Sequence, residues 1–242
     1  MTRLFNGIVA FGSTLLLAVT LIGAGFAAVA IPDAATATLS RAFSGCDQPN
    51  TPFTADELAS MAIAGKRYTF DDNDRVKLDA AIAEGNAAAE ADGRAGTLTR
   101  ESAARSLPAD AISHLDDVYR VASVAKPALV IVAALCIAGL AHVAVRIGRR
   151  ALGRTLMAGG GLVLAAFCAL GAWAAIDFDG LFAAFHSLFF QAGTWTFPYD
   201  SLLITLYPTA FWMGMGGIWL AVTCIASIIC IIVGRLLRSE TE

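Results

Sequence analysis

An all-α membrane protein with four transmembrane helices, a mainly helical extracytoplasmic segment and an interfacial aromatic helix is the fold class that the sequence predicts. Three observations carry it. Of 242 residues, 57% are hydrophobic and 15% charged, where a soluble domain averages about 45–50% and 25%. No Asp, Glu, Lys or Arg falls within Leu4–Pro32, Pro127–Val145, Thr155–Ile176 or Ser201–Gly234, and each window is long enough to cross a hydrocarbon core about 30 Å thick at 1.5 Å per residue. Basic residues gather beside those windows on alternate sides. The net charge of −3 offers no surplus of phosphate-neutralising groups, which argues against nucleic acid as a partner.

The first span is assigned to residues 1–32. Arg3, the apolar stretch and Ala34-Ala35-Thr36-Ala37 imitate a secretory signal, but the run is about twice the usual 7–15-residue apolar core, so a retained helix is preferred to a cleaved leader. Ser44-Gly45-Cys46 imitates a lipobox, yet Asp33 and Arg41 separate it from the apolar run and Phe43 stands where an aliphatic residue is expected. The second span covers residues 127–145 and the third 155–176, with the basic loop 146–154 between them. The fourth covers 209–234, followed by a tail over 235–242.

Lys and Arg collect on the cytoplasmic flanks of spanning helices. Arg146, Arg149, Arg150 and Arg154 place the 146–154 loop inside, and Arg3, Arg235 and Arg238 then place both termini on the same side, as an even number of spans requires. The inside holds 7 basic and 2 acidic residues, the outside 10 basic and 18 acidic. Polar chemistry is expected on the outer face, in segments 33–125 and 177–208. Cys46 is the only cysteine there; the other four lie in apolar spans and read as small hydrophobes.

Within 33–125, Thr54-Ala55-Asp56-Glu57 fits a capping box that opens a helix. Asp71-Asp72-Asn73-Asp74 precedes Val76, Leu78 and Ile82 and reads as acidic capping; as a calcium loop it lacks the glycine at the sixth and the glutamate at the twelfth position. Residues 84–96 are rich in Ala, Glu and Gly and read as a frayed helix end and a loop, with no chemistry visible. Pro108 suits the first turn of a further helix, on which Ala111, His114, Val118, Val121, Ala122 and Ala125 share one face. Asp117 lies one turn beyond His114, where a carboxylate can orient an imidazole; a structural histidine is the plainer reading of the pair taken alone.

The 31 residues from Phe182 to Trp212 hold 10 of the 22 aromatic residues, the signature of a headgroup boundary. Phe182, Phe185, His186, Phe189 and Phe190 form one helical stripe. His186 within it is expected to be desolvated and neutral, the state a general base needs; an imidazole merely bonded to a backbone carbonyl is the equal alternative. Asp200 and Pro208 bracket the turn into the last span, where Gly214, Gly216 and Gly217 permit close helix contact. His142, with no acid beside it, reads as structural.

Two strings then stand together: His114-Leu115-Asp116-Asp117-Val118 ahead of the second span, and Phe185-His186-Ser187-Leu188-Phe189-Phe190 followed by Trp195, Pro198, Asp200, Leu203 and Pro208 ahead of the fourth. In this order and topology the chain resembles the integral membrane family of the lipoprotein intramolecular transacylase. Leu115 stands where Met or Phe is expected, and residues 36–96 carry no motif of the family. The resemblance implies an acyltransferase that moves the sn-2 acyl chain of a diacylglyceryl-modified cysteine onto that cysteine's own α-amine, leaving a lyso-form lipoprotein. It implies a diacylated lipoprotein and membrane lipid as partners and no cofactor or metal. His114, His186 and Asp117 become the expected catalytic residues, with Phe185, Phe189, Phe190, Trp195 and Asp200 expected to bind substrate.

Ester-to-amide transfer needs an unprotonated amine, a proton for the leaving oxygen and a stabilised oxyanion. On this reading His186 accepts the amine proton and His114, steadied by Asp117, donates to the leaving oxygen or polarises the carbonyl, the two roles being exchangeable. The chain has no G-x-S-x-G elbow. The rival in another class is a non-enzymatic scaffold or sensor that binds an envelope partner. A zinc enzyme lacks any H-E-x-x-H or comparable spacing, and transport lacks ionisable groups at depth apart from His142.

Overall fold

The computed structural model describes residues 2–239 and, among them, contains helices and no strand. In chain order they are α1 (Thr2–Ala30), α2 (Asp33–Phe43), α3 (Ala55–Phe70), α4 (Arg75–Ala91), α5 (Ala109–His142) running into a π-helical turn (Val143–Ile147), α6 (Arg149–Ile176), α7 (Phe178–Ser187), α8 (Leu202–Leu206) and α9 (Thr209–Ser239). Among the described residues, four stretches are long and apolar enough to cross a membrane: Arg3–Ala30, Ala109–Ile147, Arg149–Ile176 and Thr209–Ser239. Of the tail expected over 235–242, residues 240–242 lie outside the described residues.

The helix expected after Pro108 and the second span form one continuous helix with Pro127 inside it. At 1.5 Å per residue the 39 residues from Ala109 to Ile147 extend about 58 Å, nearly twice a hydrocarbon core. Asp110, Asp116, Asp117, Arg120 and Lys126 all precede Pro127, so the charged part of this helix, with His114, lies on the N-terminal side of the proline and the uncharged part follows it. The basic loop is nearly all helix: only Gly148, at φ 114°, separates the π turn from α6, a backbone state that favours glycine.

The chain divides into two compact units, one of residues up to 28, 124–181 and from 218, the other of residues 29–123 and 182–217. In the first, Leu17, Leu21, Cys136, Val163 and Phe167 form a buried centre. Lipid tails are as apolar as leucine, so spanning helices associate by close packing of small residues. A Cβ on Gly153 would lie 2.5 Å from the Gly234 carbonyl oxygen, and one on Gly160 2.6 Å from that of Ser227. Trp219 Nε1 donates to the Ile22 carbonyl at 3.1 Å. His142 is paired 3.2 Å from Asn6 Oδ1 and meets Phe5 edge-on, a structural role.

The second unit packs around α3. Its capping box is complete: Thr54 Oγ1 accepts from the Glu57 amide at 3.3 Å and Glu57 Oε2 from the Thr54 amide at 2.7 Å. Leu58, Met61, Leu78, Ile82, Ala111, Leu115, Leu202 and Leu206 then share one core, while Val76 stands 78% exposed. Asp74 caps α4 by accepting from the Val76 and Lys77 amides. The lipobox-like string serves as a turn: Gly45, at φ 72°, donates its amide to Thr205 O at 2.8 Å, and Ser44 Oγ donates to Leu206 O at 2.6 Å. Of the three glycines expected at close contacts in the last span, only Gly214 makes one, against Leu39.

Residues 84–108 hold a network that composition did not reveal. Arg105, 2% exposed, donates to Asn86 Oδ1 at 2.7 Å, Leu98 O at 2.6 Å and Glu90 Oε1 at 2.7 Å. Asn86 Nδ2 returns a bond to Arg105 O at 2.9 Å. A buried guanidinium is tolerable only when its donors are filled, and here the loop carbonyls and α4 fill them, fastening the segment that leads into α5.

Gly153→Val is expected to lower the unfolding temperature in detergent, at a cost of about 1–3 kcal/mol for an overpacked contact. Gly161→Ala, whose added methyl meets nothing within 4 Å, should leave it unchanged. Equal melting of the two variants would refute the close-packing account.

Candidate active site

His114 and His186 come together in the second unit although 72 positions separate them. Their ring centroids lie 6.2 Å apart with planes 29° from parallel. His114 is brought there by α5, whose neighbouring Ala111, Ile112 and Leu115 are buried in the core around α3. Register is held by a long-range bond: Tyr68 Oη on α3 donates to Asp116 Oδ1 at 2.5 Å, and Asn73 Nδ2 reaches the same oxygen at 3.4 Å. Burial, with the Asp116 carboxylate second, pushes the Tyr68 hydroxyl up to about 12, so it remains a donor.

His186 occupies the last turn of α7. Its Nδ1 lies 2.8 Å from the Phe182 carbonyl oxygen. A carbonyl only accepts, so Nδ1 carries the hydrogen and Nε2 keeps a free lone pair in the neutral ring. The bond to a backbone carbonyl raised by the sequence is present, and it leaves Nε2 of the neutral ring with its lone pair. The helix stops at Ser187, and the amides of Phe189 and Phe190 bond back to His186 O at 3.1 and 2.9 Å. This turn carries Phe190 onto both imidazoles, 5.0 Å from His114 and 5.7 Å from His186.

Other rings complete a cage. Phe182 lies 4.0 Å and Trp195 4.8 Å from the His186 ring, and Phe197 5.6 Å from His114. Phe185 meets His186 edge-on at 5.7 Å, while Phe189 meets the rings of Phe185 and Phe190 and, among the described residues, neither imidazole. Phe185 and Phe189 remain 46% and 48% exposed, apolar surface at the rim of the cage.

Desolvation is the main electrostatic effect. Burial, with the neighbouring His186 ring second, pushes His114 down to about 4, against an opposing pull from the Asp117 charge. Burial also lowers His186, opposed by its bond to the Phe182 carbonyl. Both rings are thus neutral at physiological pH. His114 Nδ1 and Trp195 Nε1 are buried and have no hydrogen-bond partner among the described residues.

Two expected site residues stand elsewhere. Asp117 makes no hydrogen bond to His114; its carboxylate meets the Arg120 guanidinium at 2.8 Å, and its influence on His114 is through charge alone. The three-residue spacing that suggested the first pairing serves the second equally well. Asp200 is exposed in the turn between Pro198 and Ser201 and touches neither imidazole. Among the described residues no third metal-ligating side chain joins the two histidines. Phe182 and Phe197 belong to the cage without having been singled out as site residues; Phe182 was marked by its place in the helical stripe with His186, and Phe197 only by membership of the aromatic cluster.

Residues 95–212 match the family model described as lipoprotein intramolecular transacylase Lit. Over that stretch, a little under half of its length, the chain is similar to the lipoprotein intramolecular transacylase family. The matched stretch contains both histidines, the whole aromatic cage and the second and third spans. No curated protein matches the chain in sequence. Among solved structures, the chain resembles the membrane-integral lipoprotein intramolecular transacylase Lit of Bacillus cereus, with a TM-score of 0.74 at 17% identity over 98% of this chain and 97% of that one. It also resembles a variant of that protein with a histidine changed to alanine, with a TM-score of 0.72 at 16% identity over 99% and 96%. At such identity these two likenesses establish the shared fold.

An imidazole held below its ordinary 6.5 binds fewer protons folded than unfolded. Its contribution to stability is therefore intact above pH 6.5 and is lost as the pH falls from there toward about 4. The unfolding temperature in detergent should drop across that window, and His114→Gln should flatten part of the drop. An unchanged pH profile in the variant would contradict a buried, neutral His114.

Proposed function

We propose that the chain catalyses intramolecular transacylation of a diacylated lipoprotein at the outer boundary of the membrane, with both of its termini cytoplasmic. The observation that carries the mechanism is the stacked imidazole pair inside an aromatic cage, with His186 Nε2 free to accept. The match of residues 95–212 to the family model supports the reaction class, and the distribution of Lys and Arg supports the orientation.

The cysteine α-amine attacks the carbonyl carbon of the glyceryl ester while His186 Nε2 takes its proton. The new C–N bond gives a tetrahedral oxyanion. Its collapse breaks the ester C–O bond, and the imidazolium of His186 returns the proton to the departing glyceryl oxygen, so that ester and amine become amide and alcohol. A ring as hard to protonate as His114 suits the second of the two roles open to it, polarising the carbonyl as a neutral N–H donor. Donor ester and acceptor amine belong to one molecule, so holding them in contact replaces much of the entropy cost that a covalent acyl-enzyme otherwise meets. The exposed faces of Phe185 and Phe189 offer apolar surface to the acyl chains and to membrane lipid, with Phe190 and Trp195 deeper against the histidines. Asp117 tunes His114 by its charge. Asp200, set apart from the rings, is assigned to the polar part of the substrate.

Separate His186→Ala and His114→Ala proteins, confirmed to be membrane-inserted, are expected to lower formation of the lyso-form of a reporter lipoprotein by about 10²–10⁴-fold, the range for lost general acid–base catalysis. Mass spectrometry of the reporter's N-terminus checks this. Undiminished product from both variants would overturn the assignment. Asp117→Asn is expected to stay within about tenfold of the parent, because its carboxylate holds Arg120 rather than the ring.

A further inference from the structure

Five buried side-chain polar atoms have no hydrogen-bond partner among the described residues: the hydroxyls of Thr36, Thr51 and Thr223, His114 Nδ1 and Trp195 Nε1. Both nitrogens belong to rings of the cage. An indole nitrogen is a donor and never an acceptor, and a donor buried without a partner carries its full desolvation penalty. Such an atom calls for an explanation of its own, a catalytic role among them. The Trp195 ring is fixed against the base, 4.8 Å from His186 at 34° and 6.4 Å from Phe182.

We infer that Trp195 Nε1–H is a second catalytic donor to the ester carbonyl oxygen, completing with His114 the pair of groups that stabilises the tetrahedral oxyanion. This rests on the transacylase reading given above. As the amine nitrogen bonds to the carbonyl carbon, the C=O π pair moves onto oxygen; when the ester C–O bond breaks, the pair returns. Trp195 transfers no proton at either stage. Its N–H lies where water is excluded, so it needs no reorganisation as the charge develops, the condition under which such donors act most strongly.

The test replaces Trp195 with 3-benzothienylalanine, which keeps the fused ring and puts sulfur in place of N–H, and separately with phenylalanine. With a diacylated lipopeptide as substrate, both replacements should lower kcat by about 10²–10³-fold while KM stays within about threefold. The unfolding temperature should hold or rise, since an unpaired donor has been removed. In an inactive His186→Gln protein labelled with ¹⁵N-tryptophan, the Trp195 indole resonance should move downfield when the lipopeptide binds. Parental kcat in the benzothienylalanine protein, or an indole resonance that the lipopeptide leaves in place, overturns the inference. Should Trp195→Phe fail to insert, the benzothienylalanine protein decides. Loss of product on changing either histidine combined with a fully active benzothienylalanine protein would remove only the role of Trp195; activity surviving both histidine changes would remove the underlying reading.

Discussion

The proposed chemistry depends on one short hydrogen bond, from His186 Nδ1 to the carbonyl of Phe182 four residues earlier on the same helix. It selects the tautomer, and with it the nitrogen that can take up a proton. A free imidazole in apolar surroundings would have both nitrogens to satisfy and no preference between them. The ending of α7 at Ser187 belongs to the same arrangement: the next carbonyl, that of His186, accepts the amides of Phe189 and Phe190. A helix terminus thereby bends its aromatic residues back over the imidazole it has just oriented.

His114 is held differently. Nothing in its own turn fixes it, so its position is inherited from α5, which the buried leucine core and the Tyr68–Asp116 bond hold against α3. Behind these lies the Arg105–Asn86–Glu90 network, where a guanidinium inaccessible to water ties the segment preceding α5 to α4. The membrane-spanning unit solves its packing by another route, with small residues at helix crossings and serine hydroxyls such as those of Ser13 and Ser227 turned back onto carbonyls of their own helix.

Much of this was legible in the sequence because it is local or periodic. Charge-free windows mark the helices long and apolar enough to cross lipid, Thr54 and Glu57 declare a helix start three residues apart, and the period of the aromatic stripe places His186 among phenylalanines. What escaped depends on tertiary partners. Asp116 and Asp117 are adjacent and chemically identical, and only the arrival of Tyr68 from 48 positions away decides which is structural. The glutamate and asparagine around Arg105 sit in a stretch whose composition resembles a loose linker, since a saturated buried charge leaves no pattern. Pro127 suggests a boundary, but a proline inside a long helix in lipid can be tolerated, and α5 continues through it.

One property of α7 bears on how the enzyme must be handled. None of its residues is fully buried, so the helix that presents His186 has little apolar anchorage within its own fold and relies on ring contacts at its C-terminal end. Elements of that kind open locally at a free-energy cost well below that of global unfolding. Extraction from lipid should consequently unravel this short helix first, so that purified protein can retain native helicity by circular dichroism while its turnover has already disappeared.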